Sequence, residues 1–90
     1  MNFPESLDHA QVLYFTPRAS YGMVCFTTGE IAHRICYLAI CKYENDNDFY
    51  LFGCDADHNV VSDSPWCSVE ECMSVASSSY DCDISWITAV

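Results

Sequence analysis

From residue 10 onward the chain alternates short apolar runs with short polar breaks, and the period within each run indicates what it becomes. QVLYFT (11–16) is rich in β-branched and aromatic residues and stops at Pro17, which predicts a strand. YGMVCFTTG (21–29) predicts a second strand that ends at Gly29. EIAHRICYLAICKY (30–43) is long and apolar at its centre. Its β-branched and aromatic residues on successive positions favour a third strand, although Ala32, Cys36, Ala39 and Ile40 also fit a helical stripe. FYLFGC (49–54) and VVSD (60–63) follow as further strands, set apart by polar turns at 44–48 and 55–59. Consecutive strands joined by short turns make an antiparallel meander. The first nine residues, with Pro4 among them, read as a loose lead-in.

The period changes at SVEECMSVASSSY. Ser68 followed by Glu71 is a capping box, and Val69, Cys72, Met73, Ala76 and Tyr80 recur at helical spacing, so one amphipathic helix of about three turns follows the meander. Cys67 and Cys72 take the positions where apolar side chains form a staple. DISWITAV (83–90) closes the chain as a last strand, and its return lets the helix lie across one sheet face. The fold class is therefore α+β: a meander of four to five strands, one helix packed on it, and a C-terminal strand. Ninety residues make a single domain, 1–90.

The middle strands are apolar on both sides. In 30–43, Ile35, Tyr37, Ala39 and Cys41 alternate with Cys36, Leu38 and Ile40; in 49–54, Phe49 and Leu51 alternate with Tyr50 and Phe52. One helix covers one face, so the other must curl on itself, take the N-terminal segment as a cover, or meet another molecule. A homodimer through an uncovered sheet face is one such outcome.

Charge adds a direction to this architecture. Residues 1–42 carry three acids and three bases, whereas residues 43–90 carry ten acids and no base, which is the whole of the net charge of −10. Such a field repels phosphate backbones and anionic lipid, and it speeds encounter with cationic partners. Direct nucleic-acid binding is excluded on that ground. No run approaches the ~20 apolar residues of a membrane span, and MNFPESLDHAQ has neither the basic nor the apolar region of an export signal. The expected compartment is the cytoplasm, where the seven cysteines act as reduced, small core residues.

Several chemistries fail on spacing. Asp55-Ala-Asp57-His-Asn59 begins like a calcium loop, but Val60 stands where glycine is needed and Trp66 where the bidentate glutamate is needed. There is no CxxC and no HxxxH, and Cys36 and Cys41 point to opposite faces of a strand, so a Cys/His metal or redox protein is the weaker alternative and no metal or cofactor is expected. Cys67 before the helix lies among Asp63, Glu70 and Glu71, which oppose a thiolate. Paired catalytic carboxylates would need a formed cleft, which a meander with one helix provides poorly. The chain reads as a binding protein and not as an enzyme.

What remains is the acidic stretch from residue 42 to 63, with aromatic residues laid between its charges. Charge gives steering and register, and tyrosine gives anchors, which is how a compact surface makes a tight interface. Glu44, Asp46, Asp48, Asp55 and Asp57 are the candidate electrostatic contacts, with Tyr43 and Tyr50 as anchors. Glu70 and Glu71 are weaker candidates, because Glu71 serves in capping.

The succession YLFGCDADHNVVSD, PWCSVEECMSVASSSY and ISWI, spanning residues 49–87, resembles a hairpin, capped helix and tryptophan strand of small bacterial immunity proteins encoded beside polymorphic toxins, including those of contact-dependent inhibition. The helix departs from that pattern in having no lysine or arginine between residues 68 and 80. The resemblance implies a cytoplasmic protein that binds one basic toxin domain, often a nuclease, and blocks its active site or an adjacent surface. It carries over no catalytic residue.

Overall fold

The computed structural model describes residues 3–80 and 83–89. Its elements run β1 (Ser6–Leu7), β2 (Ala10–Phe15), β3 (Gly22–Cys25), β4 (Ile31–Ile35), β5 (Tyr37–Lys42), β6 (Phe49–Cys54), β7 (Val60–Trp66), α1 (Val69–Ser79) and β8 (Ile87–Thr88). The main sheet is antiparallel in the order β1-β2-β5-β6-β7. The other edge of β2 is shared, with β1 opposite its start and β8 opposite Tyr14 and Phe15. The α+β class with one packed helix and a C-terminal strand is therefore the observed one.

Four sequence expectations are corrected. The meander is interrupted, because β3 and β4 form a two-stranded sheet of their own and β2 pairs with β5. The run 30–43 is extended throughout but breaks at Cys36, whose N–H donates to the Cys54 carbonyl at 2.8 Å and whose carbonyl accepts from Ala19 at 3.0 Å. The break turns Ile35 to the helix side, with Leu38 and Ile40, instead of beside Tyr37. The lead-in contains β1, joined to β2 by the two-residue turn Asp8-His9 with both φ values positive, the geometry that suits a tight hairpin. The last strand shortens to Ile87–Thr88, and Val90 of the expected strand lies outside the described residues.

β7 runs on past Asp63 to Trp66 through Pro65, which an edge strand tolerates, since among the described residues β7 has no partner on its far side. In β2 a bulge at Leu13 resets the alternation, so Val12 and Phe15 face one core while Tyr14 faces the other. At the end of β2, the buried Thr16 hydroxyl accepts the Leu38 N–H at 2.9 Å, continuing the pairing with β5 through a side chain.

Two cores result. On one face α1 lays Val69, Cys72, Met73, Ala76 and the following Tyr80 over Leu38, Ile40 and Leu51. Ser68 caps the helix by accepting the Glu71 N–H at 3.1 Å, and Glu71 accepts the Cys67 N–H at 3.0 Å. Cys72 is fully buried and Cys67 exposed, so Cys72 and Ala76 anchor the helix and the expected thiol staple does not. On the other face Ala39, Cys41, Phe52 and Cys54 are fully buried beneath β1 and the N-terminal segment. There Phe3 stacks on Phe15 at 4.6 Å and meets Tyr37 and His58 edge-on. The face that could have met another molecule is closed by the chain itself.

Candidate functional site

The acidic stretch folds into two separate loops. The β5–β6 turn (44–48) and the β6–β7 loop (55–59) sit at opposite ends of the six-residue β6, about 17 Å apart at the strand rise per residue. The structure therefore brings Tyr43, Glu44, Asp46, Asp48 and Tyr50 together and leaves Asp55 and Asp57 at the far end.

At the near end the turn is braced from within. Asp46 accepts the Asp48 N–H at 2.9 Å and the Tyr50 hydroxyl at 2.8 Å, while the Lys42 ammonium donates to the Asp46 carbonyl at 2.6 Å. The Asp48 N–H, the Tyr50 hydroxyl and then the Lys42 charge hold the Asp46 carboxyl below the usual carboxylate range. The same hydrogen bond to Asp46 pushes the Tyr50 phenol up. Tyr43 meets Tyr50 edge-on at 5.2 Å. Its phenol is pushed up by partial burial and then by the charges of Asp8, Asp63 and Asp46. Asp8 comes from the β1–β2 turn and Asp63 from β7, so their proximity has no trace in the local sequence. Asp46 thus supports the turn, and Glu44 and Asp48 carry charge that no hydrogen bond among the described residues uses up.

Beside this pair opens a groove of about 1250 Å³ along the outer edge of β2, between β1 and β8. Phe3, Val12 and Tyr43 give it apolar walls, and Glu5 and Glu44 give it carboxylates. Lys42 also borders it, but its ammonium is turned to the carbonyls of Asp46 and Tyr43. Phe3 and Glu5 escaped the sequence reading because they reach the site only through the pairing of β1 with β2.

At the far end Asp55 is self-contained. Its carboxylate accepts the N–H groups of Asp57 and Asn59, both at 2.9 Å, and the Asn59 side-chain amide at 3.2 Å. Partial burial works to raise its pKa, but these bonds and the His33 charge outweigh it and leave the carboxyl below the usual range. His58, at φ 65°, stacks on Tyr37 at 4.5 Å and ties the loop to the Phe3 cluster. Asp57 remains as an exposed charge.

The six described cysteines are free, and Cys82 lies outside the described residues. Burial pushes the Cys41 and Cys54 thiols up to about 12 and Cys72 to about 11, which keeps them protonated and inert. Among the described residues no three side chains of His, Cys, Asp or Glu are grouped to hold a metal ion, and no helix is long and apolar enough to cross a membrane. Compared with known proteins, the chain matches no family model, no curated protein and no solved structure.

Proposed function

We propose that this chain is an inhibitor of the immunity type, which acts by stoichiometric binding to a cognate basic toxin domain of the nuclease class in the cytoplasm. The observation that carries the reading is the gathering of Glu5, Asp8, Glu44, Asp46, Asp48 and Asp63 around the Tyr43–Tyr50 pair, beside an open groove. Aromatic anchors set within like charge suit a surface that binds phosphate, because the inhibitor's carboxylates occupy the positions of the nucleic-acid charges. Asp55 and Asp57, at the other end of β6, serve the long-range field more than the contact itself.

The test is a titration of the intact protein with the toxin domain encoded beside it, by calorimetry, across a range of salt. Binding should weaken steadily as salt rises, Tyr43→Ala should lose at least about tenfold in affinity, and Glu44→Gln should flatten the salt dependence. Affinity that ignores salt, or no binding at all, would remove the electrostatic mechanism.

A further inference from the structure

Among the described residues the sheet edges are guarded with one exception. A bare edge strand offers its main-chain groups to any passing strand, and natural edges are blunted by charge, proline, bulges or shortness. β7 carries Asp63, Pro65 and a bulge. β1 and β8 are two residues long and close the outer edge of β2 between them. β4 carries His33 and Arg34. β3, Gly22-Met23-Val24-Cys25, carries neither charge nor proline, the bulge in its pairing falls on β4 at Ala32, and among the described residues it pairs with β4 alone. It sits in the uncharged run 19–29. The large exposed hydrophobic residues also gather on this hairpin: Met23 at 50 %, Phe26 at 59 % and Ile31 at 44 % exposure.

We propose that β3 is a self-association edge, on which a second copy of the chain adds its own β3 antiparallel about a two-fold axis to make a four-stranded intermolecular sheet. The occupant is argued from charge and from register. Residues 18–35 hold Arg18 and Arg34 against Glu30, a net of +1, so the rest of the chain holds −11 of the total −10. Two copies repel each other at almost every other approach, and at β3 no like charges face across the pair. The Phe26 N–H bond to the Glu30 carbonyl, in register with the Cys25–Ile31 pair, sets an alternation that turns the main-chain groups of Met23 and Cys25 away from β4. A two-fold axis at Val24 then sets Met23 opposite Cys25 of the twin and Phe26 opposite Gly22. A Cβ added at Gly22 would stand 3.2 Å from the Tyr80 ring, so that ring already covers the bare position and offers an incoming Phe26 an aromatic neighbour. This surface is distinct from the groove and the acidic turn, so a dimer leaves both open.

The experiment is sedimentation equilibrium of the full chain, with reductant present, from about 5 to about 500 µM, a range that captures a small interface. It is run at about 50 and about 500 mM salt, which changes the Debye length about threefold. The protein should pass from monomer to dimer with concentration and dimerise more readily in high salt, since salt screens the repulsion between the acidic bodies. That sign is opposite to the one expected for toxin binding, so failure of either proposal is read separately. Met23→Lys and Phe26→Lys, at exposed positions, should each weaken the dimer by at least about tenfold while the circular dichroism stays native. A mass fixed at 10.2 kDa throughout, or variants that dimerise as the wild type does, would overturn the proposal.

Discussion

The two ends of β6 carry the same ingredients, an acidic loop next to aromatic rings, and put them to different use. At the β6–β7 end the rings of Phe3, Phe15, Tyr37 and His58 close on one another, and the Asp55 carboxylate is consumed by its own loop. At the β5–β6 end the two tyrosines stand beside an open groove, and Asp46 holds the turn in a shape that leaves Glu44 and Asp48 outward. A cluster that satisfies itself contributes to folding, and one that stays partly open is available to a partner. The count of acids along the chain is similar at the two ends and does not separate them; what separates them is how many donors each carboxylate has found.

The largest effect expected from this difference is on stability. Tyr37→Ala removes the ring against which His58 stacks and Phe3 packs, and the half-buried site should lose about 2 kcal/mol. Thermal melting should fall by about 10 °C. At a temperature where the variant is still folded, its affinity for the toxin domain should fall far less than that of Tyr43→Ala, because Tyr37 does not border the groove and reaches it only through Phe3. Glu44→Gln reverses the pattern, with melting unchanged within the ±0.5 kcal/mol typical of surface positions and a weaker, less salt-sensitive complex. Equal loss of affinity in both variants would show that the two ends act as one surface.

Next in size is Asp55→Ala. It strips two main-chain N–H groups and the Asn59 amide of their acceptor in a loop that also holds His58 at positive φ. These groups are exposed enough for water to replace much of what is lost, so about 1 kcal/mol is expected. Asp55→Asn keeps a side-chain carbonyl oxygen for the same N–H groups and should recover part of the loss. Denaturant melts of the three proteins give the order wild type, Asn, Ala; an alanine variant as stable as wild type would mean that the loop is held by His58 alone.

How far the sequence foretold this arrangement depends on the range of the interaction. The capped helix was legible because the Ser68–Glu71 box and the 3.6-residue stripe are local, and so were the two polar turns, where the Asp46 and Asp55 carboxylates accept N–H groups of their own loops. The alternation of Ala39 and Cys41 against Leu38 and Ile40 also read correctly, since strand period is local. The break at Cys36 was not legible. Apolar residues run through it without interruption, and the turn from one sheet to the other is fixed by Cys54 and Ala19, each about 18 residues away along the chain. The site divides in the same way. Tyr43, Glu44 and Tyr50 belong to one hairpin and could be named from it, whereas Phe3, Glu5, Asp8 and Asp63 join them only after β1 pairs with β2 and β7 with β6.

The smallest effect, and the sharpest on the independence of the two ends, is on titration. Asp46 and Asp55 both have folded pKa values below their ordinary one. A carboxyl of that kind takes its proton more readily in the unfolded chain, so its contribution to stability is complete above the unfolded pKa of about 3.9 and fades as pH falls through the folded value. Tyr50→Phe deletes one of the donors that hold Asp46 down, while leaving the ring that Tyr43 meets edge-on. Carboxyl-carbon NMR titration should show the Asp46 midpoint rising toward the ordinary range in the variant. Stability near neutral pH should hardly change, because the turn keeps the Asp48 N–H bond and the Lys42 contact to its carbonyl. The Asp55 midpoint should stay where it is, since its donors, Asp57 and Asn59, belong to its own loop. If Asp55 moved together with Asp46, the ends of β6 would be coupled through the sheet, and the separation of a folding end from a binding end would fail.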